Sequence, residues 1–152
     1  MRVLPHVNVL VRAHEKSYGP ARKLLLELIA RKEIILTSAE ILIELGRVLR
    51  YPRVQALFGL SEEQIYEYIQ FLKDVCQIVP IEVNWNFPIR DASDTAILKT
   101  AVAGEADYIC TLDRDFYTPE VTAFCGSVGI NVFDDLAMLE ASYLVSFSAL
   151  SP

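Results

Sequence analysis

Three carboxylates stand where a plain apolar core would not put them: Glu44, Asp94 and Asp113. Ile41, Leu45 and Val48 recur at helical spacing and define an inward stripe. Glu44 falls on that stripe, after Ile41 and before Val48. A glutamate there either lies at the stripe's solvent edge or faces a group that compensates its charge. Asp94 shares a helical face with Ile97, Leu98 and Ala101, although a first-turn aspartate also offsets the helix dipole. Asp113 follows the apolar run over residues 108–112. That places it at the carboxyl end of a buried strand, where parallel sheets bind ligands, or in a turn it stabilises locally. His6 and Asn8 close the first apolar run and belong at the same edge, though His6 can also be a packed strand-end residue.

Carboxylates brought together repel by roughly a kilocalorie per mole or more per close pair. A divalent cation removes that repulsion, and oxygen-rich sites suit Mg²⁺ or Mn²⁺. Such ions polarise phosphoryl oxygens and activate water, the chemistry that cuts phosphodiesters. Four segments converging on one edge would make such a centre.

The elements that must position these groups alternate. Short apolar runs at 3–10, 34–36, 75–79, 107–112 and 128–133 read as strands. Between them, 21–30, 38–50, 61–74 and 91–103 read as helices, and 134–139 as a final short one. Thr37 and Glu40 have capping-box spacing, and Ser61 caps the next helix. Residues 81–89 have no period and read as a loop. The pattern predicts a three-layer α/β/α sandwich around a mostly parallel sheet of four to five strands. The 152 residues fit one domain, since domains commonly run about 100–200. It is expected over residues 1–140, with a C-terminal tail at 141–152.

Composition excludes several classes. Hydrophobic residues make up 53% and charged residues 22%, too apolar for a disordered chain. No uncharged apolar run reaches the roughly 18–20 residues of a membrane span, and no secretory cleavage pattern follows the N-terminus. Cys76, Cys110 and Cys125 lack CxxC spacing and read as free, mostly buried thiols of a cytoplasmic protein. The net charge of −6 argues against a general nucleic-acid binder, but its distribution is uneven. Residues 1–53 hold ten Lys/Arg against five Glu, and the remainder four Lys/Arg against fifteen acids. Arg47, Arg50 and Arg53 are candidates to meet phosphate, or form a solvated face.

With these residues in order, the chain resembles the PIN-domain family, many of whose members are VapC-like toxins of toxin–antitoxin pairs. The resemblance rests on His6-Val7-Asn8-Val9-Leu10, on Glu44 in the helix after a strand, and on Asp94-Thr95-Ala96-Ile97-Leu98. Its most specific part is Thr111-Leu112-Asp113-Arg114-Asp115-Phe116. The resemblance implies a metal-dependent ribonuclease acting on single-stranded RNA, with an antitoxin partner and a homodimeric state. It implies catalytic and metal-binding roles for Glu44, Asp94 and Asp113, with Asp115 and His6 in the metal set and Mg²⁺ or Mn²⁺ as cofactor. Asn8 and Thr111 would orient the ligands. One position departs: the family opens with Asp-Thr-Asn-Val-Leu, and here His6-Val7 replaces Asp-Thr. Imidazole ligates Mn²⁺ or Zn²⁺ but serves Mg²⁺ poorly. Either the metal preference has moved, or catalysis is weakened and the domain binds RNA or protein without cutting.

Two other enzyme classes fit less well. Asp113-Arg114-Asp115 also matches the Asp-x-Asp of haloacid-dehalogenase-type phosphatases. That motif follows the first strand and needs a downstream lysine, whereas Lys99 is the last lysine here. No GxGxxG follows the first strand, which argues against a dinucleotide-binding domain. Helix 61–74, with Ile65, Tyr68, Ile69 and Leu72, is core or a partner surface.

Overall fold

The structure is a computed structural model that describes residues 1–82 and 86–149. Five parallel strands form one sheet in the order β3-β2-β1-β4-β5: β1 (Arg2–Pro5), β2 (Ile34–Thr37), β3 (Gln77–Ile78), β4 (Tyr108–Cys110) and β5 (Asn131–Phe133). Among the described residues, eight α-helices connect or flank them: α1 (Val7–Leu10), α2 (Pro20–Ala30), α3 (Ala39–Leu49), α4 (Pro52–Phe58), α5 (Glu62–Val75), α6 (Ala92–Ala103), α7 (Pro119–Ser127) and α8 (Asp135–Ala149). The expected α/β/α layering is present, and the sheet is parallel throughout. Val3, Leu4, Ile35, Leu36, Ile109 and Cys110 are fully buried on its strands, because helices cover both faces. Among the described residues no helix is long and apolar enough to cross a membrane.

Strand order sets the site. The chain runs from β1 outward to β2 and β3, then returns through α6 to β4 on the other side of β1. The crevice between the carboxyl ends of β1 and β4 is therefore the topological switch point, where open α/β sheets bind ligands. Pro5 pairs with Cys110, and the His6 amide donates to the Cys110 carbonyl at 2.8 Å.

Several boundaries differ from the sequence pattern. The first strand stops at Pro5, and His6 caps a one-turn helix in place of extending the strand. Ser38, whose hydroxyl accepts from the Ile41 amide, caps α3. Thr37 cannot, because its backbone is committed to β2 opposite Ile78. At Ser61 the capping box is complete, with Gln64 as the returning partner. Helices α4 and α7 were not evident in the sequence: each opens on a proline (Pro52, Pro119), which reads as a break but suits the first helical position. The last helix runs to Ala149, past residue 140 without a break, and packs against α2. Within the expected loop at 81–89, residues 83–85 lie outside the described residues, as do residues 150–152 of the expected tail.

Leu4 is fully buried on the central strand. Leu4→Ala should cost about 2–5 kcal/mol, read as a lower urea midpoint at unchanged m-value.

Candidate metal centre

Each side chain of the centre reaches the switch point from a different element. His6 follows β1, and its ring is buried beside Phe116 with ring centroids 5.1 Å apart. Asp94 sits in the first turn of α6, where the Asp91 carboxylate accepts from the Ser93 and Asp94 amides and fixes the helix start. Asp113 follows β4 and caps the 3-10 turn Arg114–Tyr117 by accepting from the Asp115 amide at 2.9 Å. A ring nitrogen of His6 and one carboxylate oxygen each from Asp94 and Asp113 lie within 4.8 Å of one another. His6 Nε2 is 3.3 Å from Asp94 Oδ1.

Behind these three groups runs a connected hydrogen-bond network. The buried Thr111 hydroxyl accepts from the Asp113 amide at 3.0 Å and lies 2.8 Å from His6 Nδ1. Asn8 accepts through Oδ1 from the Leu112 amide at 3.1 Å, and its Nδ2 sits 2.9 Å from His6 Nδ1. The Tyr117 hydroxyl donates to the Thr111 carbonyl at 2.8 Å. The residues that the sequence suggested as ligand-orienting thus both contact His6.

The remaining candidates lie outside the three. Glu44 is at the edge of the apolar face, half-buried, and paired with Arg47 of its own helix. Ile41, Leu42, Leu45 and Leu49 make the inward stripe. Glu44 lines a cleft of about 270 Å³ together with Val7 and Ser93, the chain neighbours of His6 and Asp94. Asp115 is exposed and offers its backbone amide to Asp113. The three arginines share no common face. Arg47 is taken by Glu44, and Arg50 holds Glu62 through a forked pair and also reaches the Gly46 carbonyl. That pairing raises the Arg50 pKa and lowers that of Glu62. Arg53 lies beyond the α3–α4 turn and lines a separate cleft of about 540 Å³ with Arg12, Asn8 and Asp135. Sequence reasoning missed Arg12, because its place beside Arg53 depends on packing between distant segments.

Charge decides what the centre can hold. Two carboxylates this close repel by roughly 3 kcal/mol at an effective dielectric near 20. Among the described residues, neither Asp94 nor Asp113 is paired with a lysine or arginine. A nitrogen and two carboxylate oxygens converging without a protein cation are a donor set that fits a divalent ion of the Mn²⁺ or Zn²⁺ type. The three cysteines take no part. Burial pushes the Cys76 thiol up to about 12 and that of Cys125 up to about 11, so both are neutral at pH 7.

Comparison with known proteins identifies the family and the fold. The family model described as PIN domain matches residues 2–115. A chain in the crystal structure of VapBC2 from Rickettsia felis, bound to a DNA fragment from their promoter, is similar in fold, with a TM-score of 0.54 and 18% identity. The match covers 88% of this chain and 100% of that one. No curated protein is close enough in sequence to stand as a relative.

Thr111→Val keeps the shape of the hub but strands the Asp113 amide. The expected cost is about 1–3 kcal/mol in chemical denaturation, with the His6 ring resonances shifted in NMR spectra.

Proposed function

Because the chain belongs to the PIN-domain family, we propose that it is a metal-dependent endoribonuclease cutting single-stranded RNA, the toxin of a toxin–antitoxin pair. The observation that carries this is the convergence of His6, Asp94 and Asp113 at the switch point, with neither acid paired to a lysine or arginine among the described residues. Asp94 and Asp113 are the principal holders of an Mg²⁺ or Mn²⁺ ion, with His6 as third member whenever its Nε2 carries no proton, and Asp115 as an auxiliary acid. When bound, the ion supplies Lewis-acid polarisation of a phosphoryl oxygen and activation of water.

The chain's own residues do the rest. Asp91 and the α6 first turn hold Asp94 in place, and the Asp115 amide orients Asp113. Thr111 and Asn8 fix the His6 ring. Glu44 shares a cleft with Val7 and Ser93, the chain neighbours of His6 and Asp94, and we assign it to the catalytic and metal group through release of Arg47. The cleft that starts at Asn8 suits a single strand of RNA. Arg12 and Arg53 can meet phosphates, and Val11, Val54, Leu57 and Phe58 offer an apolar surface to bases. Arg47 and Arg50 add positive charge at the rim once their acidic partners are displaced. The fold shared with a VapBC2 chain supports an antitoxin as protein partner and a cytoplasmic setting, and we extend this to a homodimer.

His6 favours a second reading, an RNA- or protein-binding domain that has lost cleavage, because the resemblance puts an aspartate at this position and an imidazole is a poor Mg²⁺ ligand. Cleavage of a labelled single-stranded RNA separates the two. With Mn²⁺ the native chain should cut. Asp94→Asn should lower the rate at least about 100-fold, equal to about 2.7 kcal/mol, and Arg53→Ala should raise KM with little change in kcat. No cleavage by the native chain, with activity gained in His6→Asp, would identify the domain as a binding module.

A further inference from the structure

We propose that Asn8 decides which nitrogen of the His6 ring carries the proton, and thereby whether that ring can ligate a metal ion; this rests on the metal-centre reading above. Leu112 N–H donates to Asn8 Oδ1 at 3.1 Å, which fixes the orientation of the side-chain amide and turns its NH₂ toward His6. Asn8 Nδ2 is then a donor 2.9 Å from His6 Nδ1. Thr111 Oγ1 already accepts from the Asp113 amide at 3.0 Å, so its own proton is available for Nδ1, 2.8 Å away.

Two donors therefore face Nδ1, and a proton on that nitrogen would oppose the Asn8 NH₂ directly. The ring proton belongs on Nε2, which lies 3.3 Å from the Asp94 Oδ1 carboxylate oxygen, an electrostatic contact that favours an N–H on that side. In this state His6 turns an N–H toward the Asp94 carboxylate and has no lone pair on that side to offer a metal. To ligate through Nε2, the ring must carry its proton on Nδ1, the tautomer that metal-binding histidines adopt by donating to a carboxylate or carbonyl. Asn8 presents the opposite polarity. It is a positioning residue that keeps the ring outside the coordination sphere and leaves the two aspartates to compete for an ion with an N–H donor between them.

Asn8→Asp tests this with little change in shape. One carboxylate oxygen still accepts from Leu112 N–H, while the other replaces the NH₂ with an acceptor facing Nδ1. Long-range ¹⁵N–¹H NMR of the EDTA-treated native chain should show a protonated Nε2 and a bare Nδ1 on His6, and in Asn8→Asp the reverse. By calorimetry, Zn²⁺ should bind Asn8→Asp about 10-fold or more tightly, with Mg²⁺ changed far less, and His6→Ala in that background should erase the Zn²⁺ gain. A native ring protonated on Nδ1 overturns the proposal. So does an Asn8→Asp chain that gains Mg²⁺ and Zn²⁺ affinity equally, since that is a charge effect without ring ligation. Neither readout involves RNA: a chain that behaves this way and cuts no RNA overturns the nuclease reading and supports the role of Asn8.

Discussion

The pairing of β1 with β4 is the constraint on which the centre depends. Pro5 lies opposite Cys110, and the next amide, His6, donates to the Cys110 carbonyl. That register puts His6 level with Thr111, so that one hydroxyl can touch the ring from β1 and the amide of Asp113 beyond β4. A slip of one residue would turn Thr111 to the opposite face and separate the two halves of the network. The strands are only three or four residues long here, yet they are central, and Val3, Leu4, Ile109 and Cys110 are sealed from solvent by helices on both faces. Core packing therefore sets the geometry of the polar edge.

At that edge the balance of charge is unusual. Asp94 and Asp113 are close, partly or fully buried, and without a basic partner among the described residues. Among the described residues, the ion-pairing group beside Asp94 is an imidazole. Where a plain acidic set would depend wholly on a bound cation for neutralisation, this one has an internal N–H donor. An imidazole at this position brings no negative charge of its own to the two aspartates. The surrounding Asn8 and Thr111 set which of the ring's two nitrogens carries the proton.

Much of this was legible in the sequence because it rests on local rules. Asp91 as cap, α6 ending at Gly104, Ser61 opening α5 and the apolar strands are signalled by spacing within a few residues. Asp94 and Asp113 stood out as acids at the ends of apolar patterns. What escaped was set by tertiary packing. Proline at the first turn made α4 and α7 read as breaks, and β2 claimed Thr37 and left the cap to Ser38. The arginine row at Arg47, Arg50 and Arg53 was a periodic pattern only on paper. The chain turns at Tyr51, and local acids occupy the first two. Arg12 joins Arg53 across a cleft that no linear pattern announces.

The most direct measurement is residue-by-residue paramagnetic broadening of amide NMR signals on adding substoichiometric Mn²⁺ to the native chain. Broadening centred on His6, Asp94, Thr111 and Asp113 is the expected result, since those amides surround the two aspartates. Broadening centred on another acidic group, such as Asp134–Asp135 or Glu62–Glu63, would contradict a metal centre at the junction of β1 and β4.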